Sequence, residues 1–276
     1  MTVEISPQEL NLQRIADSGQ CFRMNRIRYG KYEVTAFGKY LELEQDDHSV
    51  TFHCPDEDYD LIWSQYFDMS QHYDQITNEA MQSYGDDEFL MDAIQEGKGI
   101  RILHQEFFET LITFIISQRK SIPAIRRSIE AICRKYGTPI HAVRSTGEEV
   151  IRYAFPAAEI LAGLEPEDLE DCSVGYRDKY IVGAAQWYLQ NHEIYNLESM
   201  GFQTAVNILR SEIYGVGIKV ASCVCLFGLH LLEACPIDVW MQKIIDEDYG
   251  SDIPRWMDTR YAGVLQQYCF YYKRKI

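Results

Sequence analysis

Residues 202–231 have the sequence FQTAVNILRSEIYGVGIKVASCVCLFGLHL, and this stretch decides the fold. A helical pattern runs to Ile213, the triplet Gly215-Val216-Gly217 follows, and a second helical pattern begins near Ile218. Glycine on both sides of one apolar residue permits positive φ, so the chain can reverse tightly and bring two helices close together. The stretch therefore predicts a helix–turn–helix corner.

This turn has two interpretations. As a plain packing corner between two helices it needs no ligand. Alternatively, it leaves backbone N–H groups unpaired at the start of the second helix, where they form a seat for a DNA phosphate. The sequence of the turn alone leaves both interpretations open.

Lys219 lies in the first turn of the second helix, and Cys223 follows four residues later on the same face. The surrounding residues, VASCVCLFGL, are almost wholly apolar. The lysine therefore either extends to solvent past a buried face or is held there as a desolvated amine for nucleophilic chemistry. Cys223 is by itself equally consistent with a small buried hydrophobe.

A carboxylate follows in the sequence CPIDVWMQKII at 235–245. Pro236 fixes an extended backbone, and Asp238 is placed to cap a helix that begins at Val239. A capping carboxylate is held rigidly and stays ionised beside a helix N-terminus. The same group is therefore suited to stabilise positive charge that develops on a sugar.

The rest of the sequence predicts an α+β protein that is mostly α. Four short segments rich in Val, Phe, Tyr and Thr predict an antiparallel sheet: CFRMNRI, KYEVTAF, YLELEQ and SVTFHC, within residues 21–54. From about Asp56 every further element is predicted to be helical, which confines the sheet to the N-terminal end. We predict an N-terminal sheet region with accessory helices at 1–98, packed on a helical domain at 99–276.

The composition argues against a largely disordered, a collagen-like or a membrane-spanning protein. The 276 residues are 46% hydrophobic and 25% charged, so the chain can bury a sizeable core, and no apolar run approaches 18 residues. The first residues lack the pattern of a signal peptide, and eight cysteines without an export signal indicate reduced thiols. We expect a bacterial-type cytosolic location.

The net charge of −16 argues against nucleic-acid binding only when it is taken as a single number. Residues 1–100 carry 20 acidic and 7 basic side chains, whereas residues 101–276 carry 22 acidic and 19 basic ones. The second part keeps local basic clusters at 119–135 and 273–275, which are equally consistent with an ordinary solvated surface. Overall charge does not decide the partner.

Four motifs stand in one order along the chain. They are GQCFRM at 19–24, IYGVGIKVA at 213–221, PIDV at 236–239, and YAGVLQ at 261–266 running on to Phe270. They resemble G-Q-x-F-R-W, L-P-G-V-G-x-K-V-A, P-V-D-V-H and the C-terminal pocket helix of the 8-oxoguanine DNA glycosylase/AP lyase family. That family is a branch of the helix–hairpin–helix glycosylases, and the resemblance spans nearly the whole chain.

The resemblance implies a bifunctional DNA N-glycosylase/AP lyase that excises 8-oxoguanine from duplex DNA. Lys219 would attack C1′ of the damaged nucleotide and form a Schiff base that leads to β-elimination of the strand. Asp238 would stabilise the oxocarbenium-like sugar and assist proton transfers. Gly215, Val216 and Gly217 would bind the DNA backbone.

The resemblance also assigns a base pocket, because a duplex base must be extruded before its glycosidic bond can be reached. The backbone carbonyl of Gly19 would read the N7 hydrogen that distinguishes 8-oxoguanine from guanine. Cys223 and Phe270 would sandwich the base, and Gln266 would bind its Watson–Crick edge. Without the resemblance, Phe270 is consistent with core packing, Gln266 with a solvated side chain, and Gly19 with an ordinary turn.

The chain departs from the family pattern at several positions. Tyr214 stands where proline is usual, Trp240 where histidine is usual, and SQRKS at 117–121 where eukaryotic members carry an Asn triplet. Ala124 aligns with an arginine that reads the orphan cytosine, whereas Arg177 retains a second such arginine. Because one lost bidentate base contact removes about 1–3 kcal/mol of discrimination, we expect a weaker preference for cytosine opposite the lesion.

No cofactor or metal is expected. The cysteines at 223, 225, 235 and 269 lack the C-x6-C-x2-C-x5-C spacing of the iron–sulfur glycosylases, and no paired ligands indicate zinc. The expected partner is duplex DNA with a damaged purine, bound by a monomer and without a membrane. Two alternatives stay open: a monofunctional 3-methyladenine-type glycosylase, which lacks a lysine at the Lys219 position, and a non-catalytic helix–hairpin–helix DNA-binding module.

Overall fold

A computed structural model describes residues 1–192 and 196–275 of the chain. Its N-terminal part is an antiparallel sheet in the order β1-β5-β4-β3-β2. The strands are β1 (Thr2–Glu4), β2 (Met24–Arg28), β3 (Lys31–Ala36), β4 (Lys39–Gln45) and β5 (Ser49–His53), with helix α1 (Leu12–Asp17) between β1 and β2. The four predicted strands are confirmed, and β1 adds a fifth at the edge beside β5.

The rest of the chain is mostly helical, as predicted. The α-helices are α2 (Asp56–Asp58), α3 (Ser64–Tyr66), α4 (Tyr73–Ser83), α5 (Glu88–Gly97), α6 (Phe107–Ser117), α7 (Ile122–Tyr136), α8 (Ala158–Ala162), α9 (Asp178–Asn191), α10 (Phe202–Glu212), α11 (Ile218–Phe227), α12 (Val239–Asp248) and α13 (Ala262–Lys273). A π-helical turn, Tyr59–Trp63, joins α2 to α3, and 3₁₀ turns occupy Pro166–Cys172, Gly175–Arg177, Leu197–Met200 and Arg255–Asp258. None of the described helices is both long and apolar enough to cross a membrane.

The prediction that the sheet is confined to the N-terminal end was wrong. Strands β6 (Pro139–Val143) and β7 (Glu149–Tyr153) form a second, antiparallel sheet among the helices. Charged groups hold this hairpin against the first sheet: Glu33 on β3 pairs with Arg144 and Arg152 at 3.1 and 2.8 Å. Val150 alone is buried among the ten residues of these two strands, so they lack the buried alternating face that identifies a strand in sequence.

Apolar packing is divided between two clusters. The smaller cluster lies under the first sheet, runs from Leu10 to Phe67 and includes Leu103. The larger cluster contains Phe22 and the apolar faces of the later helices, including α4 and α5. The sheet region therefore contributes to both clusters, while the division into 1–98 and 99–276 stays a prediction.

Candidate active site and DNA-binding cleft

The predicted hairpin is confirmed, because α10 ends at Glu212 and α11 begins at Ile218. Gly215 has φ +87°, and a Cβ atom there would lie 2.5–2.9 Å from the Tyr180 ring. Glycine is therefore required at this position twice over, by the backbone conformation and by the close approach of the ring. Gly217 differs from the prediction of positive φ, since its φ of −88° is open to any residue and nothing lies within 4 Å of its Cβ position.

Gly217 is the N-cap of α11 and provides no side-chain cap. The first backbone N–H groups of this helix therefore lack an intrahelical or side-chain acceptor. Tyr214 and Ile218 on either side are 74% and 62% exposed, so the turn projects from the surface. Gln118, from the turn after α6, donates a hydrogen bond of 3.1 Å to the Gly215 carbonyl and holds the loop from behind.

Lys219 is half-buried at the start of α11. Its Nζ atom lies 5.0 Å from the centre of the Phe114 ring, which stacks in turn on Phe227 at 5.5 Å. Lys219 forms no ion pair within the described part of the chain, so the ring face is the main feature against which its ammonium rests. The amine is thus directed along an apolar wall.

Asp238 caps α12, as predicted. Its Oδ1 atom accepts hydrogen bonds of 2.9 Å from the backbone N–H groups of both Trp240 and Met241. Its Oδ2 atom has no hydrogen-bond partner among the described residues, and the side chain is half-buried. The carboxylate is therefore fixed by one oxygen while the other is available to a ligand.

All six residues predicted for catalysis and base binding line one small pocket. It has a volume of about 50 Å³, and its lining includes Gly19, Lys219, Cys223, Asp238, Gln266 and Phe270. These residues come from the loop before β2, from α11, from the start of α12 and from α13, so only the tertiary fold brings them together. The structure thus joins every member of the predicted set.

The thiol of Cys223 is buried at the side of this pocket. Burial raises the pKa of this thiol, whereas the Lys219 ammonium lowers it by its charge and by a hydrogen bond, and the charge of Asp238 raises it. The thiol therefore stays protonated at neutral pH. Cys223 therefore forms a compact, neutral part of the pocket wall beside Lys219.

Gly19 and Phe270 lie against each other at the pocket mouth. Gly19 has φ +79°, and its Cβ position lies 3.4 Å from Cε1 of the Phe270 ring. The guanidinium of Arg274 lies 5.2 Å from the centre of the same ring. Phe270 lines both the pocket and the larger cleft beside it.

The pocket opens beside a cleft of about 900 Å³ that is lined by the turn between α6 and α7, the start of α12 and the end of α13. Its charged lining residues are four cations and one carboxylate: Arg119, Lys120, Lys219, Arg274 and Asp238. None of the four cations is ion-paired with a carboxylate of the described residues. In a chain of net charge −16, this cleft is a local basic surface.

Arg177 lies behind the cleft and is 5% exposed. It donates hydrogen bonds to the backbone carbonyls of Val174, at 2.9 Å, and of Gln118. Its guanidinium also packs on the Tyr176 ring, 4.4 Å from the ring centre. Arg177 therefore lies next to the hairpin support, and its predicted contact with the orphan base stays a prediction.

Five further lining residues of the pocket were not predicted: Ser18, Phe114, Phe227, Pro236 and Gln267. Phe114, under Lys219, belongs to the helix FFETLITFIIS, which is apolar on all sides, so periodicity does not show which side chain faces the pocket. Gln267 also lines the pocket. The sequence feature that could have identified it is a second glutamine directly after Gln266 in an otherwise mostly apolar helix.

Comparison with known proteins finds relatives that are described as 8-oxoguanine DNA glycosylases or as N-glycosylase/DNA lyases. The family described as 8-oxoguanine DNA glycosylase, N-terminal domain, matches residues 2–111. The N-glycosylase/DNA lyase of Saccharomyces cerevisiae is 36% identical over 163 residues, which cover 55% of this chain and 42% of the yeast protein. The chain spans about half the length of the curated relatives that it matches.

Solved structures match over almost the full length. MBOgg1 in complex with a low-affinity DNA ligand is 33% identical with a TM-score of 0.87, covering 99% of this chain and 95% of that one. The 8-oxoguanine glycosylase/lyase of Clostridium acetobutylicum, bound to duplex DNA with cytosine opposite 8-oxoguanine, is 30% identical with a TM-score of 0.85. The match covers 100% of this chain and 98% of the clostridial one.

Proposed function

The chain belongs to the 8-oxoguanine DNA glycosylase/lyase family, and on that premise we propose that it excises 8-oxoguanine from duplex DNA and then cleaves the strand. The observation that carries this proposal is the convergence of Gly19, Lys219, Cys223, Asp238, Gln266 and Phe270 on one pocket. An amine and a carboxylate with one uncommitted oxygen stand at the mouth of a cavity whose other walls are mostly apolar. This arrangement fits nucleophilic displacement at a sugar carbon.

Lys219 acts as the nucleophile in this proposal. Its neutral amine bonds to C1′ as the bond from C1′ to N9 breaks, and the base leaves with the electron pair and takes up a proton. Opening of the sugar ring moves an amine proton to O4′ and gives a protonated Schiff base between Lys219 and C1′. Loss of a proton from C2′ to solvent or to the departed base then breaks the C3′–O3′ bond by β-elimination, and the 3′ part of the strand leaves with its phosphate. The Phe114 ring lies along one side of this amine, 5.0 Å from Nζ, and limits its contact with solvent.

Asp238 stabilises the positive charge that builds up on the sugar as the glycosidic bond breaks. Its Oδ1 atom remains on the backbone of α12, so the ionised carboxylate needs no rearrangement to act through Oδ2. A monofunctional alkylpurine glycosylase needs no amine at this place. The position of Lys219 in the pocket therefore favours the bifunctional enzyme.

DNA lies across the cleft in this proposal. The amides after Gly215, Val216 and Gly217 bind one phosphate, and the cleft cations other than Lys219, namely Arg119, Lys120 and Arg274, bind others. Arg177 reads the orphan base after releasing at least one backbone carbonyl, and Ala124 cannot supply a second guanidinium. The protein works as a cytosolic monomer on duplex DNA.

The pocket must widen to accept the base. A cavity of about 150 Å³ accommodates a benzene ring, whereas this pocket has about 50 Å³. Phe270 lines both the pocket and the cleft, so displacement of its ring is the most direct way to enlarge the cavity. After widening, the lesion base lies between this ring and Cys223, and the Gly19 carbonyl accepts the N7 hydrogen.

The test is a strand-cleavage assay on duplexes that carry a single 8-oxoguanine opposite cytosine. The products are separated with and without alkali, because alkali cleaves every abasic site whereas a lyase cleaves without it. We expect cleavage in both samples. Cleavage only after alkali would indicate a monofunctional glycosylase, and no cleavage in either sample would contradict the proposed substrate.

A further inference from the structure

Helix α13 places two adjacent glutamine amides at the pocket. Gln266 and Gln267 are 3% and 4% exposed, and both line the cavity. Gln267 Nε2 donates a hydrogen bond of 2.9 Å to Gln266 Oε1. The Oε1 atom of Gln267 is fully buried and has no hydrogen-bond partner among the described residues.

A buried amide oxygen without a partner destabilises the folded state, because folding removes its hydrogen bonds to water and provides no other donor. Most buried polar side-chain atoms in proteins have a partner for this reason. Apart from its bond to Gln266, the Gln267 side chain makes no hydrogen bond to the described residues. A hydrogen-bond donor supplied by a ligand in the pocket would remove the deficit.

The two amides together present a specific pattern of hydrogen-bonding groups. The bond from Gln267 fixes the orientation of the Gln266 amide, so Gln266 offers Nε2 as a donor and the second lone pair of Oε1 as an acceptor. Gln267 Oε1 adds a second acceptor. The pair therefore offers one donor and two acceptors.

This set complements the Watson–Crick edge of a guanine-type base, which has O6 as acceptor and N1–H and the N2 amino group as donors. An adenine-type edge would fit poorly, because its N1 atom is an acceptor and would face an amide oxygen that is also an acceptor. We propose that Gln267 is a specificity-determining residue whose Oε1 accepts the N2 amino group of the lesion, while Gln266 takes O6 and N1–H. This inference rests on the proposed function and adds a second reader to the pocket.

The experiment measures single-turnover excision of 8-oxoguanine and of 8-oxohypoxanthine, which is the same base without the N2 amino group. The wild-type protein is compared with Gln267→Met, which keeps the size of the side chain and removes its oxygen. We expect wild type to excise 8-oxoguanine about 10- to 100-fold faster than 8-oxohypoxanthine. In Gln267→Met the rate on 8-oxoguanine falls by about this factor, and the rate on 8-oxohypoxanthine changes little.

Tyr268→Phe is the matched control, since it removes one buried polar atom from the same helix, outside the pocket. It should keep the wild-type ratio of the two rates. Cleavage of a duplex with a preformed abasic site needs no contact with a base, so this activity shows whether Gln267→Met is correctly folded. Gln267→Ala provides a second variant that also lacks the amide oxygen. Equal losses on both bases, or no loss, would overturn the role of Gln267, whereas a wild-type protein inactive on both would overturn the proposed function itself.

Discussion

Asp238 shows how one side chain meets a structural and a chemical requirement together. Its Oδ1 atom accepts from two backbone N–H groups at the start of α12, which fixes the carboxylate beside the positive end of the helix dipole. The carboxylate lies at the same pocket as the Lys219 amine, yet the two do not form an ion pair within 4 Å. Both groups therefore remain available to a substrate that comes between them.

Asp238→Asn separates the two requirements. Asparagine caps helices about as well as aspartate, so we expect the melting temperature to change by only a few degrees. Removal of the charge should slow excision of 8-oxoguanine by about 100-fold or more, since a preorganised electrostatic group contributes on this scale. Single-turnover kinetics and a thermal melt test this; an unchanged excision rate would leave Asp238 as a cap alone.

The hairpin between α10 and α11 combines a rigid element with an exposed binding surface. Gly215 faces inward against the Tyr180 ring, while Gly217 faces open space at the start of α11. The same residue type is therefore required for packing at one position and leaves room for a ligand at the other.

Alanine substitutions at the two glycines should affect different properties, stability at Gly215 and DNA binding at Gly217. Gly215→Ala forces a Cβ into the Tyr180 ring at positive φ, so we expect a loss of about 1–3 kcal/mol in the free energy of unfolding. Gly217→Ala should change that free energy by less than about 1 kcal/mol. It should nevertheless weaken binding to damaged and undamaged duplexes alike, because in the proposed complex its methyl group enters the space that the DNA phosphate takes. Denaturant unfolding and fluorescence anisotropy measure the two quantities, and equal behaviour of the variants would contradict the assignment.

Sequence patterns predicted the elements whose signals are local. The hairpin bounds were predicted because apolar periodicity stops at Ile213 and resumes at Ile218 around two glycines. The β6–β7 hairpin was missed because it is held by Arg144 and Arg152 through Glu33, more than a hundred residues away. The pocket contacts of Phe114 and Gln267 were missed for a similar reason, because each depends on a neighbour that only the tertiary structure supplies.

At the scale of the whole molecule, the motif at 19–24 joins the sheet region to the helices. Arg23 is 2% exposed and forms ion pairs with Glu130 on α7, at 2.9 Å, and Glu109 on α6, at 3.9 Å. It also donates a hydrogen bond of 2.5 Å to the Tyr153 carbonyl on β7. Burial raises the pKa of Glu109 to about 7, although the charge of Arg23 opposes this rise.

This raised pKa predicts a pH-dependent stability. Between the ordinary pKa of glutamate, about 4.5, and 7, the folded state binds more protons at Glu109 than the unfolded state, so stability falls as pH rises through this window. Glu109→Gln cannot titrate and should lose less stability from pH 5 to pH 8, by on the order of 2 kcal/mol. Urea unfolding of both proteins across this range measures the difference; parallel curves would mean that Glu109 does not titrate there.

The segregation of charge predicts how salt affects DNA binding. Besides Lys219, the cleft carries three cations that form no ion pair with a carboxylate of the described residues, namely Arg119, Lys120 and Arg274, whereas the chain as a whole has a net charge of −16. Three neutralised phosphates give a slope of about −3 for log affinity against log salt. Arg119→Gln should reduce the steepness by about 1. A slope near −8 would indicate a binding surface other than this cleft.

The central claim is that Lys219 becomes covalently joined to the damaged nucleotide. Borohydride trapping on a duplex with 8-oxoguanine tests it most directly, because reduction makes a Schiff base permanent. Lys219→Gln is compared with Lys243→Gln, which removes an exposed lysine over the Trp240 ring on α12. We predict an adduct for wild type and Lys243→Gln, and none for Lys219→Gln although it still binds the duplex. An adduct that persists in Lys219→Gln, or its absence from wild type, would contradict this mechanism.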